Sequence, residues 1–430
     1  MNDRRSIRWL HAQLPALVEK GVLSREAAEA LRAHFVEPEA GRGAGVVISA
    51  ILGATLIGAG IVLVLAHNWD ELDKNARTVI SFAPLVVAIA LSAFALLRRA
   101  GSVAWCEGTA IFQTLAVAIS IALVGQTWHL GGDFEAFLLT WILLAMPLAY
   151  LLRATLPAAL CIIGVATWAC DIGSQSQSPL LAWPLLAVVA PFYASVLREN
   201  RHSHRANALS LLFALALPVL LGCTIEQFAR GCWIPAFAGL FAALYLAGVR
   251  WFQNDEHDKH PFRAVGGLGV AVAAIVWSYR EAWRGLFESR LSVHDWTVGW
   301  IVALGFPALA ILLGALCYKD KRDANPLVAA FPGVVLGCWL WDLNSDAQVG
   351  ASLVFNLYAL ALGIVTLIRG VRGTRIGSAN AGMAIVAALV ISRFFDSDFS
   401  FVARGLAFIG IGAGFLIANL FMFKRRKKSA

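Results

Sequence analysis

A chain of 430 residues with 59% hydrophobic and 14% charged residues and a mean hydropathy of +0.71 has too little polar surface to cover a soluble domain of that size. The composition excludes an ordinary globular enzyme and implies a polytopic membrane protein. A formal net charge of +8 must then be explained by where Lys and Arg fall along the chain.

Ahead of the first apolar run, Ile7, Leu10, Leu14, Leu17 and Val18 recur at helical spacing. Gly21 breaks the pattern, and Ser24 is placed to N-cap a second helix carrying Ala27, Ala28, Leu31 and Phe35. The spacing predicts a cytoplasmic helical hairpin, too small to hold a core of its own, that docks on the membrane domain or on a partner. It has no cluster of base-reading polar residues, so no nucleic-acid partner is expected. With the linker Pro38 to Gly45, this segment occupies residues 1–44. The first apolar run starts only behind it, which reads as an uncleaved anchor rather than a cleaved signal peptide.

About fourteen apolar runs follow, near residues 45–67, 76–97, 105–125, 134–152, 155–170, 180–197, 207–223, 232–249, 264–279, 297–318, 326–341, 348–368, 376–392 and 403–423. Each is close to the length a helix needs to cross about 30 Å of hydrocarbon. The fold class expected is all-α, a polytopic transmembrane helix bundle over residues 45–423 with a basic tail at 424–430. The fifth, seventh, ninth, eleventh and thirteenth runs are short enough to be re-entrant or broken helices, which leaves a count of 12 to 14 open. Assigning the N-terminus and every second gap to the cytoplasm puts 27 of the 35 Lys and Arg on that face. Short basic loops resist translocation, so both termini should be cytoplasmic. The positive charge is then a topogenic signal and a contact for anionic lipid headgroups.

No Asp, Glu, Lys or Arg lies near the middle of any run, and Glu107 sits only a turn or so inside the cytoplasmic edge. A proton-driven pump loses support, because buried ionisable groups mark proton and ion pathways. The polar groups at depth are milder: Gln113, Thr114 and Ser120 in the third run, Asn356 in the twelfth, Asn380 in the thirteenth and Asn419 in the last. Such side chains most often hydrogen-bond a neighbouring helix. Ala54 with Gly58, and Gly410 with Gly414, read as close helix contacts.

The outer gaps carry the more informative clusters: Asn68-Trp69-Asp70 after the first run, Gln126 to Asp133 with His129 after the third, and Arg393 to Asp396 after the thirteenth. Interfacial anchoring explains Trp69 and Trp128, and capping or salt bridging explains the others. The alternative is a polar outer site in which a His and carboxylates do acid–base work or hold an anion beside Arg393.

The same residues carry a resemblance. The N-terminal hairpin, the AHNWD end of the first run, the GQTWHLGGD segment and Trp141 resemble the predicted-membrane-protein family named domain of unknown function 2157. The C-terminal SRFFDSDFSFVARGLAFIGIGAGFLIAN is similar to the ending of that family and of its relative numbered 4401. The resemblance implies a multi-pass protein of the bacterial inner membrane and no established activity. It picks out Asn68, Trp69, Gln126, His129, Asp133, Arg393 and Asp396, and by analogy suggests a separate membrane or periplasmic protein partner.

There is no P-loop, H-E-x-x-H, C-x-x-C or G-x-S-x-G, so ATPase, zinc-protease, thioredoxin-like and serine-hydrolase chemistry lack a motif. No cofactor is expected. His202-Ser203-His204 and His257-Asp258-Lys259-His260 lie in two cytoplasmic gaps, where a shared metal competes with plain solvation. Cys223 and Cys232 flank one outer gap and could pair in an oxidising compartment. Residues 280–296, with Trp283, Leu286, Phe287 and Leu291 on one side, suit a helix lying on the outer leaflet. Three classes remain: a transporter or flippase for lipids or envelope precursors, which leads; a membrane enzyme with an outer polar site; and a scaffold or assembly factor.

Overall fold

The computed structural model describes residues 3–35, 69–175, 177–228, 230–253, 260–283, 296–344, 348–373, 375–396, 409–410 and 412–414. The run expected at 45–67 and most of that at 403–423 lie outside them, as do Asn68 and the side chains of Asp70 and Asp396. The chain divides into two compact units, residues 1–77 and 78–430.

In the first unit, α1 (Asp3–Glu19) and α2 (Arg25–His34) form the expected hairpin. The turn is made at Gly21, whose φ of 70° is open to glycine without a Cβ penalty. Ser24 Oγ then accepts the Ala27 N–H at 3.1 Å, capping α2. Leu14 is the buried residue of the pair.

Among its described residues the second unit consists of helices joined by turns and loops, with no strand. Its helices are α3 (Lys74–Arg98, which starts in the first unit), α4 (Val103–Trp128), α5 (Phe134–Leu151), α6 (Thr155–Ser174), α7 (Ala182–Glu199), α8 (His204–Phe228), α9 (Trp233–Phe252), α10 (Pro261–Val276), α11 (Trp296–Lys319), α12 (Pro326–Asn344), α13 (Gln348–Arg372) and α14 (Ile376–Asp396). Each coincides with one apolar run of the sequence. Among the described residues, ten helical segments are long and apolar enough to cross a membrane, and the apolar stretches Pro261–Val276 and Pro326–Trp341 are shorter. Three of the runs that looked short, the fifth, seventh and thirteenth, become full-length helices because polar residues at their ends join the helix. α10 does not: its 16 residues cover about 24 Å at 1.5 Å per residue.

Two apolar cores run through the unit. One is built from α5 to α8 around Ile142, Cys161, Trp168, Val189 and Leu209. The other draws on α9 to α14 around Leu246, Trp277, Phe331, Phe355 and Leu362. Leu221, Ile225, Ala236, Leu240, Leu244 and Val302 join them across α8, α9 and α11. At the heart lies α9, 78% of whose apolar stretch is buried by protein. Its Gly and Ala residues suit that place, since close helix approach needs small side chains more than lipid-seeking ones. A Cβ on Gly239 would overlap the backbone nitrogen of Pro307 in α11, and one on Gly382 in α14 would overlap that of Leu367 in α13. The close contacts therefore fall here. Nothing described lies within 4 Å of a Cβ placed at Gly410 or Gly414.

Glu107, the acidic residue nearest the interior of a run, is a helix cap. Its carboxylate accepts the N–H groups of Thr155 (2.6 Å) and Leu156 (3.0 Å) at the start of α6, where the helix dipole favours negative charge. Arg205 stands 3.7 Å from the carboxylate and donates to the Arg153 carbonyl at 2.6 Å.

Candidate functional site

The densest polar arrangement forms where α10 stops short. Beyond Val276 the chain turns through Trp277, Ser278 and Tyr279, and Ser278 is wholly buried. Buried non-helical backbone is tolerated only where protein satisfies its polar groups. Here the satisfying groups come from two other helices. The Ser278 carbonyl accepts Ser352 Oγ at 2.6 Å and Asn356 Nδ2 at 3.1 Å from α13, and Arg393 Nη2 from α14. Arg393 also donates from Nη2 to Ser278 Oγ at 2.7 Å and from Nε to Asn356 Oδ1 at 2.9 Å. Its guanidinium lies 4.3 Å from the centre of the Tyr279 ring, within cation–π range. The Tyr279 hydroxyl donates to the Ser392 carbonyl at 2.8 Å.

Asn356 is thereby fixed in orientation. Its amide nitrogen donates to Ser278 O and to Ser352 O (2.9 Å), while its oxygen receives Arg393. Beside the polar group stands an aromatic wall. Trp277 stacks on Phe331 at 5.6 Å and meets Phe355 edge-on at 5.8 Å, and Trp283 lies 5.6 Å from Phe355. Trp283, expected on an interfacial helix, is instead fully buried, with its indole N–H donating to the Trp277 carbonyl at 2.7 Å. The reason is chemical: an indole can enter a core once its donor finds an acceptor. Trp277 Nε1 is also buried and has no acceptor among the described residues. The remainder of the outer gap expected to lie flat, 284–295, is outside the described residues.

Arg393 and Asn356, which the sequence places in different categories, are thus hydrogen-bonded partners. Gln126, His129 and Asp133 lie elsewhere, on the end of α4 and the start of α5, and all three are exposed. α4 packs on α5 and α6, whereas α14 packs on α13 and α10. His129 ends α4 in the left-handed conformation, φ 50°, with its N–H and that of Leu130 turned back to the Gly125 carbonyl. Asp133 is the N-cap residue of α5, without a side-chain capping bond. Trp128 donates to Thr78 Oγ1 at 3.1 Å. Trp69 belongs to the first unit, where Arg77 lies 5.9 Å over its ring, and Asp70 shares its 3-10 turn. Asp396 closes α14.

The other polar groups at depth mostly bridge helices. Ser120 Oγ donates to the Ser81 carbonyl at 2.8 Å, and Trp141 Nε1 to the Thr114 carbonyl at 2.8 Å. Gln113 differs: its Oε1 is buried with no donor among the described residues. Of the histidines considered for a metal, His260 does something else. His260 is buried, lies against Phe252 with ring centres 3.7 Å apart, and caps α10 by accepting the Phe262 N–H at Nδ1 (3.3 Å). Burial, and then the nearby His202, push its pKa down to about 4. No group of three or more His, Cys, Asp or Glu among the described residues is arranged to hold a metal, and His257 and Asp258 lie outside them. The Cys223–Cys232 pairing is not formed: Cys232 is buried in the C-terminal core, and the sulfur beside Cys223 belongs to Cys170, at 3.8 Å.

An all-helical unit with ten spanning-length apolar helices and helix-to-helix polar bonds defines a polytopic helical membrane protein. Residues 15–158 match the model of the family described as predicted membrane protein, domain of unknown function 2157. That match takes in the end of α1, all of α2, GQTWHLGGD and Trp141, and it ends well before Ser278. No curated protein and no solved structure matches the chain.

Proposed function

We propose that this is a transporter- or flippase-like protein of the bacterial cytoplasmic membrane, with both termini in the cytoplasm, that handles an amphiphile at the Ser278 site. The observation that carries this is the short helix α10, 16 residues long, and the buried turn that follows it. That turn brings buried backbone and three polar side chains together beside an aromatic wall. A fixed guanidinium suits a polar or anionic head, and Trp277, Phe331 and Phe355 suit an apolar tail. Broken helices near the membrane interior are a recurring way to build transporter sites, which is a fold-level analogy. Membrane lipids are the partners this reading requires.

The test is reconstitution into vesicles carrying headgroup-labelled phospholipids, zwitterionic and anionic, and a labelled polyprenyl phosphate, followed by quenching from outside. Transfer should raise the quenched share above that of empty vesicles, and Arg393→Ala should return it to that level. Wild-type protein that moves none of the three would overturn the proposal. The orientation is checked separately by reporter fusions, which should read cytoplasmic after Arg99 and Arg205 and external after Asp133.

A scaffold is favoured by one specific observation: Ser278, Ser352 and Asn356 already use their polar atoms on one another and on Arg393. In that case Arg393→Ala would lower the amount of folded protein rather than transfer. An enzyme reading would draw instead on Asn68, Trp69, Asp70, Gln126, His129, Asp133, Arg393 and Asp396, and predicts that His129→Ala abolishes deletion rescue at unchanged protein level.

A further inference from the structure

Two thiols meet near one end of the α5–α8 core. Cys170 lies four residues before the end of α6 and Cys223 five before the end of α8, and their Sγ atoms stand 3.8 Å apart. That is van der Waals contact between sulfurs, and a disulfide needs the gap closed to about 2.05 Å. Gly173, one turn further along α6, faces Cys223 and leaves the helices room to approach: a Cβ there would stand 3.8 Å from Cys223 Cβ. Of the seven cysteines these two are the ones not buried, Cys170 being exposed and Cys223 half-buried. Asp171 follows Cys170 directly and Glu226 follows Cys223 by three residues, so the thiols sit at the water-facing end of their helices.

We propose that Cys170 and Cys223 are a dithiol–disulfide pair that ties α6 to α8 across the loop and helix between them. The inference rests on the proposed orientation, which turns this end of both helices toward the extracytoplasmic, disulfide-permitting side. The electron acceptor is the disulfide of an extracytoplasmic thiol oxidoreductase. The Cys170 thiolate attacks one sulfur of that disulfide, giving a mixed disulfide and releasing the other donor sulfur as a thiolate. Cys223, as its thiolate, attacks the Cys170 sulfur and releases the second donor thiolate. The chain loses two electrons and two protons, and the donor leaves as its dithiol.

The experiment places a protease site between Asn200 and Ser203, in the full-length chain. Cells are quenched with a permeant alkylating agent, and membranes are cleaved and run without reductant. The two fragments should migrate as one species, separate on adding reductant, and separate without it in Cys170→Ser and in Cys223→Ser, while Cys232→Ser stays linked. Wild-type fragments that separate without reductant would overturn the pairing. Orientation is read independently in Cys223→Ser, whose Cys170 should react with an impermeant maleimide on intact spheroplasts. Labelling only after permeabilisation would refute the orientation, and with it a physiological disulfide, whatever the fragments show.

Discussion

His129 occupies a conformation that a side chain other than glycine enters at a cost of about 1–2 kcal/mol. Ending a helix this way is ordinary, but glycine would do it without the penalty. His129→Gly should therefore raise thermal stability by about 1 kcal/mol. If the same variant fails to rescue a deletion, the imidazole has a task besides ending α4; full rescue would assign it to the turn alone. His260 gives a second prediction. Its Nδ1 can accept the Phe262 N–H only while the ring is neutral, and its pKa falls from 6.5 to about 4 on folding. A depressed histidine pKa means that the unfolded chain binds the proton first, so this contribution is whole above about pH 6.5 and is lost as pH drops toward 4. His260→Asn, which caps without titrating, should flatten the thermal stability profile between pH 7 and pH 5. The sequence offered a sign of this role in His260-Pro261, since proline is favoured at the first helical position. Neither plain solvation nor a shared metal describes His260, because the lone pair a metal would need is taken up by the cap.

At the scale of helices, the elements were legible and their partners were not. Apolar length located α3 to α14 because hydrocarbon demands it of any crossing segment. Gly21 and Ser24 marked the hairpin because turns and caps depend on residues a few positions apart. By contrast, Arg393 and Asn356 meet across 37 residues and both meet Ser278 in the turn after α10, a register that hydropathy does not encode. Gln113 and Trp283 show the same limit, one with its Oε1 buried without a described donor and the other drawn into a core by a carbonyl six residues back. Asn356→Leu should cost about 1–3 kcal/mol, the penalty for leaving a buried donor unanswered, measurable as a lower melting temperature in detergent. Arg393→Lys should likewise lower the melting temperature, because one ammonium cannot reach from Asn356 Oδ1 to both Ser278 oxygens with the fork of a guanidinium. At the start of α6, Glu107→Ala should lower stability by about 1 kcal/mol through loss of the cap on Thr155 and Leu156.

For the whole molecule, hydropathy and burial part company. α9 has the lowest mean hydropathy of the ten spanning segments, 1.4, yet the highest share of burial. Lipid contact selects long apolar side chains, whereas a helix surrounded by helices is selected for smallness, and the sequence signals for the two differ. Gly239→Leu should therefore abolish accumulation of folded protein, because α9 and α11 cannot separate without opening the joint between the two cores. An equivalent leucine at Gly305, where nothing lies within 4 Å of an added Cβ, should be tolerated. Measuring detergent-extracted monodisperse protein for the two variants checks both statements.

The Ser278 carbonyl, finally, is an acceptor that every amino acid possesses. Replacing serine by alanine or glycine at 278 removes only the hydroxyl and leaves the oxygen that three side chains grasp. Drift among small residues is therefore open to that buried position, whereas the donors at 352, 356 and 393 have no such freedom. A relative of this protein could thus keep the arrangement intact while showing no serine at its centre, and would be found by a hydroxyl and an amide one helical turn apart, followed on the next helix by an arginine.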